Sequence, residues 1–153
     1  GTDYSQTGAT TFSATSGTVT FAEGSATAIV TMNPITDFIV ELDETVVLTL
    51  VNGMDYLVGT QHTASGTITN DDTAGYTLSK ATAMVSEDGT SMIDAFSVVL
   101  TSEPTSDVVL DLSLSSSPDA AVDKTALSFT SANWNVPQPV HITGLNDYNV
   151  DAD

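Results

Sequence analysis

Acidic side chains are concentrated in two short stretches of this sequence. The first carries four carboxylates within eight positions, at Asp37, Glu41, Asp43 and Glu44, directly before an apolar strand-like run. The second, Asn70-Asp71-Asp72, follows another strand-like run. Carboxylates at this density repel one another unless they splay into water or a cation lies among them. The pattern therefore indicates either a metal site or a solvated acidic surface.

The ligand chemistry favours calcium over other metals. Calcium binds about six to eight oxygen ligands in flexible geometry, which suits carboxylates that converge from several loops. Zinc prefers histidine and cysteine, and the chain has two histidines and no cysteine. Magnesium takes fewer protein ligands. We therefore predict calcium as the cofactor, while the alternative of acidic loops that only keep the protein soluble stays open.

The charge balance limits the classes of partner. Lys and Arg total 2 against 20 Asp and Glu, a formal net charge of −18 over 153 residues. Nucleic acids and anionic membranes attract basic surfaces, so both are poor partners. No run of about eighteen apolar residues occurs, so we predict no membrane insertion. Repulsion among the carboxylates strains the compact state, and bound divalent cations would relieve that strain.

The sequence carries no recognisable catalytic motif. His62 and His141 lie in or beside predicted strands, far from any nucleophile or base motif. No Gly-x-Ser-x-Gly sequence occurs. Glycoside hydrolysis by a carboxylate pair would need a cleft and aromatic sugar platforms, and aromatic residues are few. We therefore predict that the protein is not an enzyme.

Apolar alternation predicts an all-β chain without a helix. Short strands separated by Gly, Pro, Asn and Asp turns are typical of a β-sandwich. The predicted strands cover residues 17–21, 26–32, 45–51, 63–69, 77–85, 96–101, 108–114, 126–130 and 139–144. Residues 1–16 and 115–124 are predicted as loops, the first with room for a short strand.

An internal repeat defines the predicted domains. Asp37, Glu41 and Asp43 recur 110 positions later as Asp147, Asp151 and Asp153. The strand residues Val19-Thr20-Phe21 match Leu127-Ser128-Phe129 at a spacing of 108, and a two-residue insertion around Asn133-Trp134-Asn135 accounts for the difference. A period of this length corresponds to one sandwich domain, so the tandem repeats are cut out of phase. We predict that residues 1–72 are the C-terminal part of one repeat, 73–75 a junction, and 76–153 the N-terminal part of the next.

At these residues the chain resembles the Calx-β domain, the calcium-sensing module of sodium–calcium exchangers. That domain also occurs in integrin β4 and, in tandem, in large bacterial surface proteins. The resemblance follows residues 1–72 in order and spacing, and it extends more loosely over 76–153. The motifs that carry it are Gly1-Thr2-Asp3-Tyr4, Ser16-Gly17-Thr18-Val19-Thr20-Phe21, the acidic stretch 35–44, Ile68-Thr69-Asn70-Asp71-Asp72 and Val85-Ser86-Glu87-Asp88-Gly89.

The resemblance implies an immunoglobulin-like β-sandwich with calcium bound at one end. Carried over residue by residue, the implied metal ligands are Asp3, Asp37, Glu41, Glu44, Asp71 and Asp72 in the first repeat, and Glu87, Asp147 and Asp151 in the second. Asp119 and Asp123 stay open as alternatives for the second-repeat position that corresponds to Asp3. Thr36 and Asn70 stand where the family often has Asp.

Together, the resemblance and the composition predict a non-catalytic structural repeat of an extracellular adhesin or fibre, secreted or at the cell surface. The expected partners are neighbouring repeats or copies of the same protein, which could complete each part by strand exchange. A host or surface receptor is a further candidate partner. Two alternative functions stay open: a ligand-binding or ancillary module of a secreted enzyme, and a calcium-sensing regulatory domain.

Overall fold

The computed structural model describes residues 3–87, 93–115 and 119–146. These residues form an all-β structure without a helix, and its strands pair antiparallel in several small sheets. The prediction of an all-β chain is therefore confirmed. The strands are β1 (Tyr4–Thr7), β2 (Thr11–Phe12), β3 (Gly17–Thr18), β4 (Thr31–Pro34), β5 (Glu44–Thr49), β6 (Thr63–Ile68), β7 (Tyr76–Leu78), β8 (Ile93–Leu100), β9 (Val108–Asp111), β10 (Ala120–Val122), β11 (Ala126–Phe129) and β12 (Gln138–Gly144).

The chain folds as two compact units. Unit 1 comprises Gly1–Asp37 and Leu42–Asn70, and unit 2 comprises Phe38–Glu41 and Asp71–Asp153. The short segment Phe38–Glu41 thus belongs to unit 2, although its sequence neighbours on both sides belong to unit 1. The predicted domain boundaries at residues 72 and 76 stay a prediction.

Unit 2 has a hydrophobic core built from two sheets. A four-stranded sheet has the order β10-β12-β8-β7, and β11 pairs with β9 in a second sheet. Val98 of β8 and Val140 of β12 are buried in one cluster with Leu127 and Phe129 of β11. Burial alternates along β11, as expected for a strand with one apolar face. Each such side chain contributes about 1.5–3 kcal/mol when fully buried, so this cluster is a main source of stability.

Unit 1 is a set of three antiparallel pairs, β1–β4, β2–β3 and β5–β6. Among its described residues no hydrophobic side chain is fully buried. Val30, Met32, Val46 and Leu48 instead line an open cavity of about 260 Å³. The inner faces of β4 and β5 are therefore apolar but incompletely covered.

The same strand pairing, which we call the frame, occurs in both units: β1 with β4 in unit 1, and β10 with β12 in unit 2. In unit 1, Tyr4 pairs with Pro34 and the next residues of β1 and β4 continue the register. In unit 2, Ala120 pairs with Gly144 and β10 and β12 continue in the same way. Pro34 and Gly144 are 110 positions apart, the spacing of the acidic repeat. β4 is therefore the counterpart of β12, and β1 is the counterpart of β10.

The predicted strand boundaries agree closely with the structure for some strands and differ for others. β5, β6, β11 and β12 lie within two residues of their predicted limits. The prediction for 26–32 is wrong at its start, because β4 begins at Thr31, and 77–85 shrinks to β7. β1, β2 and β10 occur in predicted loops, because short, polar or Ala-rich strands show no apolar alternation.

Candidate metal site at the acidic loops

Asp3 lies beside the start of the first acidic loop. The backbone N–H of Ile35 donates to the carbonyl oxygen of Asp3 at 2.9 Å, which extends the β1–β4 ladder by one step. Asp3 is half-buried, and Asp37 is exposed two residues beyond Ile35. The pairing of β1 with β4 therefore brings the Asp3 position and the loop that carries Asp37 to the same end of unit 1.

A second acidic position in unit 1 forms where β5 begins and β6 ends. Glu44, the first residue of β5, pairs with Ile68 near the end of β6. The backbone N–H of Asn70 donates to Oδ1 of Asp43 at 3.0 Å. Asp43 thus ties the acidic loop to the start of the closing acidic run. The ligand prediction omitted Asp43, although the antiparallel pairing of two strands with acidic ends could have indicated it.

Glu41 belongs to a segment that packs within unit 2. Ile39 forms a parallel bridge with Glu103, and the N–H of Glu103 donates to the carbonyl oxygen of Phe38 at 2.7 Å. The rings of Phe38 and Trp134 have centroids 5.4 Å apart, a distance at which aromatic pairs attract. These contacts fix the backbone that carries Glu41, whose side chain is exposed.

Asp71 and Asp72 begin the part of unit 2 that runs to β7. Asp71 is exposed and Asp72 is half-buried. Just after them, the hydroxyl of Thr101 donates to the carbonyl oxygen of Thr73 at 2.8 Å, and the N–H of Thr101 donates to that of Gly75 at 2.9 Å. The segment that follows the two carboxylates is therefore held against the residue that follows β8.

In unit 2, two predicted ligand positions meet at one end of β12. The N–H of Leu145 donates to the carbonyl oxygen of Asp119 at 2.7 Å, which is the counterpart of the Ile35–Asp3 bond in unit 1. Gly144 lies so close to Ser86 that a Cβ there would collide with the Ser86 carbonyl group. The backbone of Glu87 is therefore adjacent to the same strand end. Of the two alternatives, Asp119 rather than Asp123 occupies the position equivalent to Asp3.

Asp123 has a different role, as an acceptor for His141. The backbone N–H of His141 donates to Oδ1 of Asp123 at 2.8 Å, and Nδ1 of His141 lies 2.9 Å from Oδ2. The side-chain hydrogen bond from His141 is the main cause that lowers the pKa of Asp123. Lys124 lies 3.9 Å from the same carboxylate and donates to the carbonyl oxygen of Pro139. The contacts of Asp123 and Lys124 therefore link the residues that follow β10 to β12.

Both lysines of the chain lie in unit 2, and each contacts a carboxylate. Lys80 forms an ion pair with Asp94 of β8, and the N–H of Met84 donates to Oδ2 of Asp94 at 3.0 Å. The hydrogen bond from Lys80 is the main cause that lowers the pKa of Asp94 to about 2. Unit 1 contains six acidic residues and neither lysine. Its negative charge therefore has no internal basic counterpart.

The donor chemistry fits calcium, whereas the ligand set within the described residues is incomplete. All the predicted ligands are carboxylates, the hard oxygen donors that calcium prefers. Within 3–87, 93–115 and 119–146, no three Asp, Glu or His side chains come close enough to hold a metal ion. Asp147 and Asp151 lie outside the described residues. The structure thus brings ligand positions to common strand ends but does not assemble a complete site.

Comparison of the chain with protein-family models, curated proteins and solved structures found no match. The resemblance to the Calx-β domain, and the ligand roles that it implies, therefore stay predictions. In the part of the chain that the structure describes, no helix has the length and apolar character needed to cross a membrane.

Proposed function

We propose that this chain is a non-catalytic structural repeat of an extracellular adhesin or fibre, built from immunoglobulin-like sandwiches of the Calx-β type. One observation supports this proposal above the others: the same β-frame occurs twice, with its counterparts Ile35 and Leu145 spaced as in the acidic repeat. A repeated frame is typical of proteins that extend by adding similar units. Secretion or display at the cell surface is part of the proposal.

Calcium is the proposed stabilising cation. In unit 1 it would draw on Asp3, Asp37 and Glu44, and in unit 2 on Glu87 and Asp119. Bound calcium would offset the repulsion among these side chains and link loops that the backbone already brings to common strand ends. The ion would therefore stiffen each unit at its acidic end.

Thermal unfolding in calcium, in magnesium and in chelator tests this proposal. Saturating calcium should stabilise the folded state by about 2–3 kcal/mol when its concentration is roughly a hundredfold above Kd. Magnesium should stabilise less, because it holds its water and demands stricter geometry. A melting temperature that the chelator leaves unchanged would remove calcium from the proposal.

A pair of matched variants separates site binding from simple loss of charge. Asp119→Asn removes a carboxylate at the proposed site, whereas Asp107→Asn removes an exposed carboxylate of the same unit that no predicted site includes. Only the first variant should reduce the calcium-dependent rise in melting temperature. Equal reductions would indicate general screening of charge rather than a site.

A further inference from the structure

An aromatic pair lies at the surface of unit 2. The ring centroids of Phe38 and Trp134 are 5.4 Å apart, and the ring planes are tilted by 47°. Trp134 is half-buried, whereas Phe38 is 58% exposed. Trp134 therefore supports a phenyl ring that keeps much of its surface in water. A supported aromatic ring provides apolar contact area and loses little conformational freedom when a ligand binds.

The turn that carries Trp134 is fixed by its own hydrogen bonds. The backbone N–H of Thr130 donates to Oδ1 of Asn133 at 2.6 Å, and the N–H of Val136 donates to the carbonyl oxygen of Asn133 at 3.0 Å. The carbonyl oxygen of Trp134 accepts from the N–H of Leu100, the last residue of β8, at 3.1 Å. A ring on such a backbone is held in place before any ligand arrives.

The segments that carry the two rings also line a polar cavity. Ile39, which follows Phe38, and Ser131, from the turn of Trp134, contribute to a cavity of about 370 Å³. Its size lies within the range of roughly 300–1,000 Å³ that is typical of small-ligand sites. The ring pair and the cavity are therefore neighbours in unit 2. The loop after β8 supplies the other lining residues, Glu103, Pro104, Thr105, Ser106 and Asp107.

The polar side chains of this cavity are hydroxyls and carboxylates. Ser131, Thr105 and Ser106 carry hydroxyls that both donate and accept, whereas the Glu103 carboxylate accepts only. Among the residues that the structure describes, no lysine lines the cavity, and both lysines contact acidic groups elsewhere. A ligand with many hydroxyl donors matches these groups. A ligand with a carboxylate, sulfate or phosphate would meet like charge without a basic partner.

We propose that the Phe38–Trp134 pair and the adjacent cavity form a binding site for an uncharged carbohydrate. A sugar ring presents C–H groups on its face and hydroxyl groups around its edge. The C–H face packs on the exposed side of Phe38, and the hydroxyls donate to the Glu103 carboxylate in charge-assisted hydrogen bonds. The site discriminates against sugars that carry a carboxylate, because the cavity has no basic group to receive it.

This inference deepens the proposed adhesin function by naming the class of receptor, and it rests on that function only for its biological role. Calcium is not part of the site, since none of the predicted metal ligands lines the cavity. Saccharide binding should therefore be the same in calcium and in chelator.

The test titrates the full chain with oligosaccharides and follows Trp134, the only tryptophan of the sequence, by fluorescence, with calorimetry in parallel. The neutral probes are oligomers of glucose, galactose, mannose and N-acetylglucosamine, and the acidic probes are oligogalacturonate and sialyllactose. At least one neutral probe should bind saturably and shift the Trp134 emission, and the acidic probes should bind at least about tenfold more weakly. Absence of binding across the neutral set, or preference for an acidic probe, would overturn the proposal.

Matched aromatic variants locate the site on the chain. Phe38→Ala should weaken binding of the neutral probe by about tenfold, whereas Phe38→Tyr keeps the ring and should retain most of the affinity. Tyr56→Ala is the control, because Tyr56 is 60% exposed but lies in unit 1, and it should leave the affinity unchanged. Equal losses in Phe38→Ala and Tyr56→Ala, or no loss in either, would overturn the proposal.

A polar variant separates recognition from simple loosening of the Phe38 segment. Glu103→Gln keeps the size of the side chain and removes its charge, so it should weaken neutral-probe binding by about fivefold and narrow the discrimination against acidic probes. Unchanged affinity and selectivity in this variant would count against the cavity as part of the site. Calcium-dependent melting without saccharide binding would sink this inference and leave the proposed function standing, whereas saccharide binding with a melting temperature that ignores chelator would do the reverse.

Discussion

Unit 1 and unit 2 share one backbone frame but differ in how far that frame is completed. In unit 2, β12 has a neighbour on each edge and its Val140 is buried in a core with Phe129. In unit 1, the counterpart β4 pairs with one strand among the residues that the structure describes, and the sequence counterpart of Phe129, Phe21, is 56% exposed. Similar sequences thus reach different burial because burial depends on which strands lie alongside, not on residue type alone.

The largest expected effect concerns the two equivalent phenylalanines. Phe129→Ala should lower the free energy of unfolding by about 3–5 kcal/mol, because it leaves a cavity in the core of unit 2. Phe21→Ala should cost less than about 1 kcal/mol, because most of that ring is already exposed. Urea denaturation of both variants checks this, and similar losses would mean that the cores do not differ.

Backbone protection should show the same contrast at the counterpart strands. The amides of Gln138 and Val140 face β8 and should exchange at least about a hundredfold more slowly than those of Ala28 and Val30. Native-state hydrogen exchange of the chain alone, followed residue by residue, measures this ratio. Equal rates at the two pairs of amides would mean that the edge of β4 is already covered.

An intermediate effect is expected at the ion pair between Lys80 and Asp94, since both lysines of the chain lie in unit 2. The pKa of Asp94 falls from 3.8 to about 2 in the folded state, so its ionised form stabilises the fold. This contribution is present above pH 3.8 and is lost as the pH falls through about 2. Lys80→Met should therefore lower the melting temperature near neutral pH.

Melting curves between pH 2 and pH 6 check the sign of this effect. The difference between the Lys80→Met variant and the unaltered chain should shrink toward pH 2, where Asp94 takes up its proton. Lys124→Met provides the control, since it removes the same charge without contacting Asp94. A difference in melting temperature that stays constant with pH would show that packing of the Lys80 side chain, and not its ion pair, causes the loss of stability.

The smallest effect is expected in unit 1, at the link between its acidic segments. Asp43→Ala removes the acceptor for the N–H of Asn70 and should cost about 0.5–1 kcal/mol, because both groups are exposed. Thermal unfolding measures this loss of stability, and the Asn70 amide should also exchange faster in the variant. Asp55→Ala, an exposed carboxylate in the loop between β5 and β6, is the matched control and should be nearly neutral.

Sequence patterns predicted those parts of the fold in which strand propensity and pairing agree. The limits of β5 followed from its apolar residues, and β5 pairs along its whole length with β6. Residues 28–30 have a similar pattern but pair with no strand in the described part of the chain, and a single sequence does not reveal whether a partner is present. β10 was missed for the opposite reason, since its Ala-Ala-Val sequence is weakly apolar yet pairs with β12.

For the candidate site, composition and spacing predicted the donor type, and backbone pairing was needed to assign positions. The choice between Asp119 and Asp123 depended on the Asp119–Leu145 hydrogen bond and on the use of Asp123 by His141. The spacing of residues in the sequence predicts neither of these hydrogen bonds. Asp43 was omitted because its acceptor role depends on the β5–β6 register, which places Asn70 near it.

The division of the acidic stretch between the two units affects how the protein can be dissected. Phe38–Glu41 belongs to unit 2, yet in the chain it lies between the two segments of unit 1. A fragment that begins after Asp72 would lack this segment. The N–H of Glu103 would then lose the Phe38 carbonyl oxygen that accepts from it. Expressing the second unit alone should therefore expose the Trp134 ring, and adding a peptide that spans residues 38–41 should restore its cover.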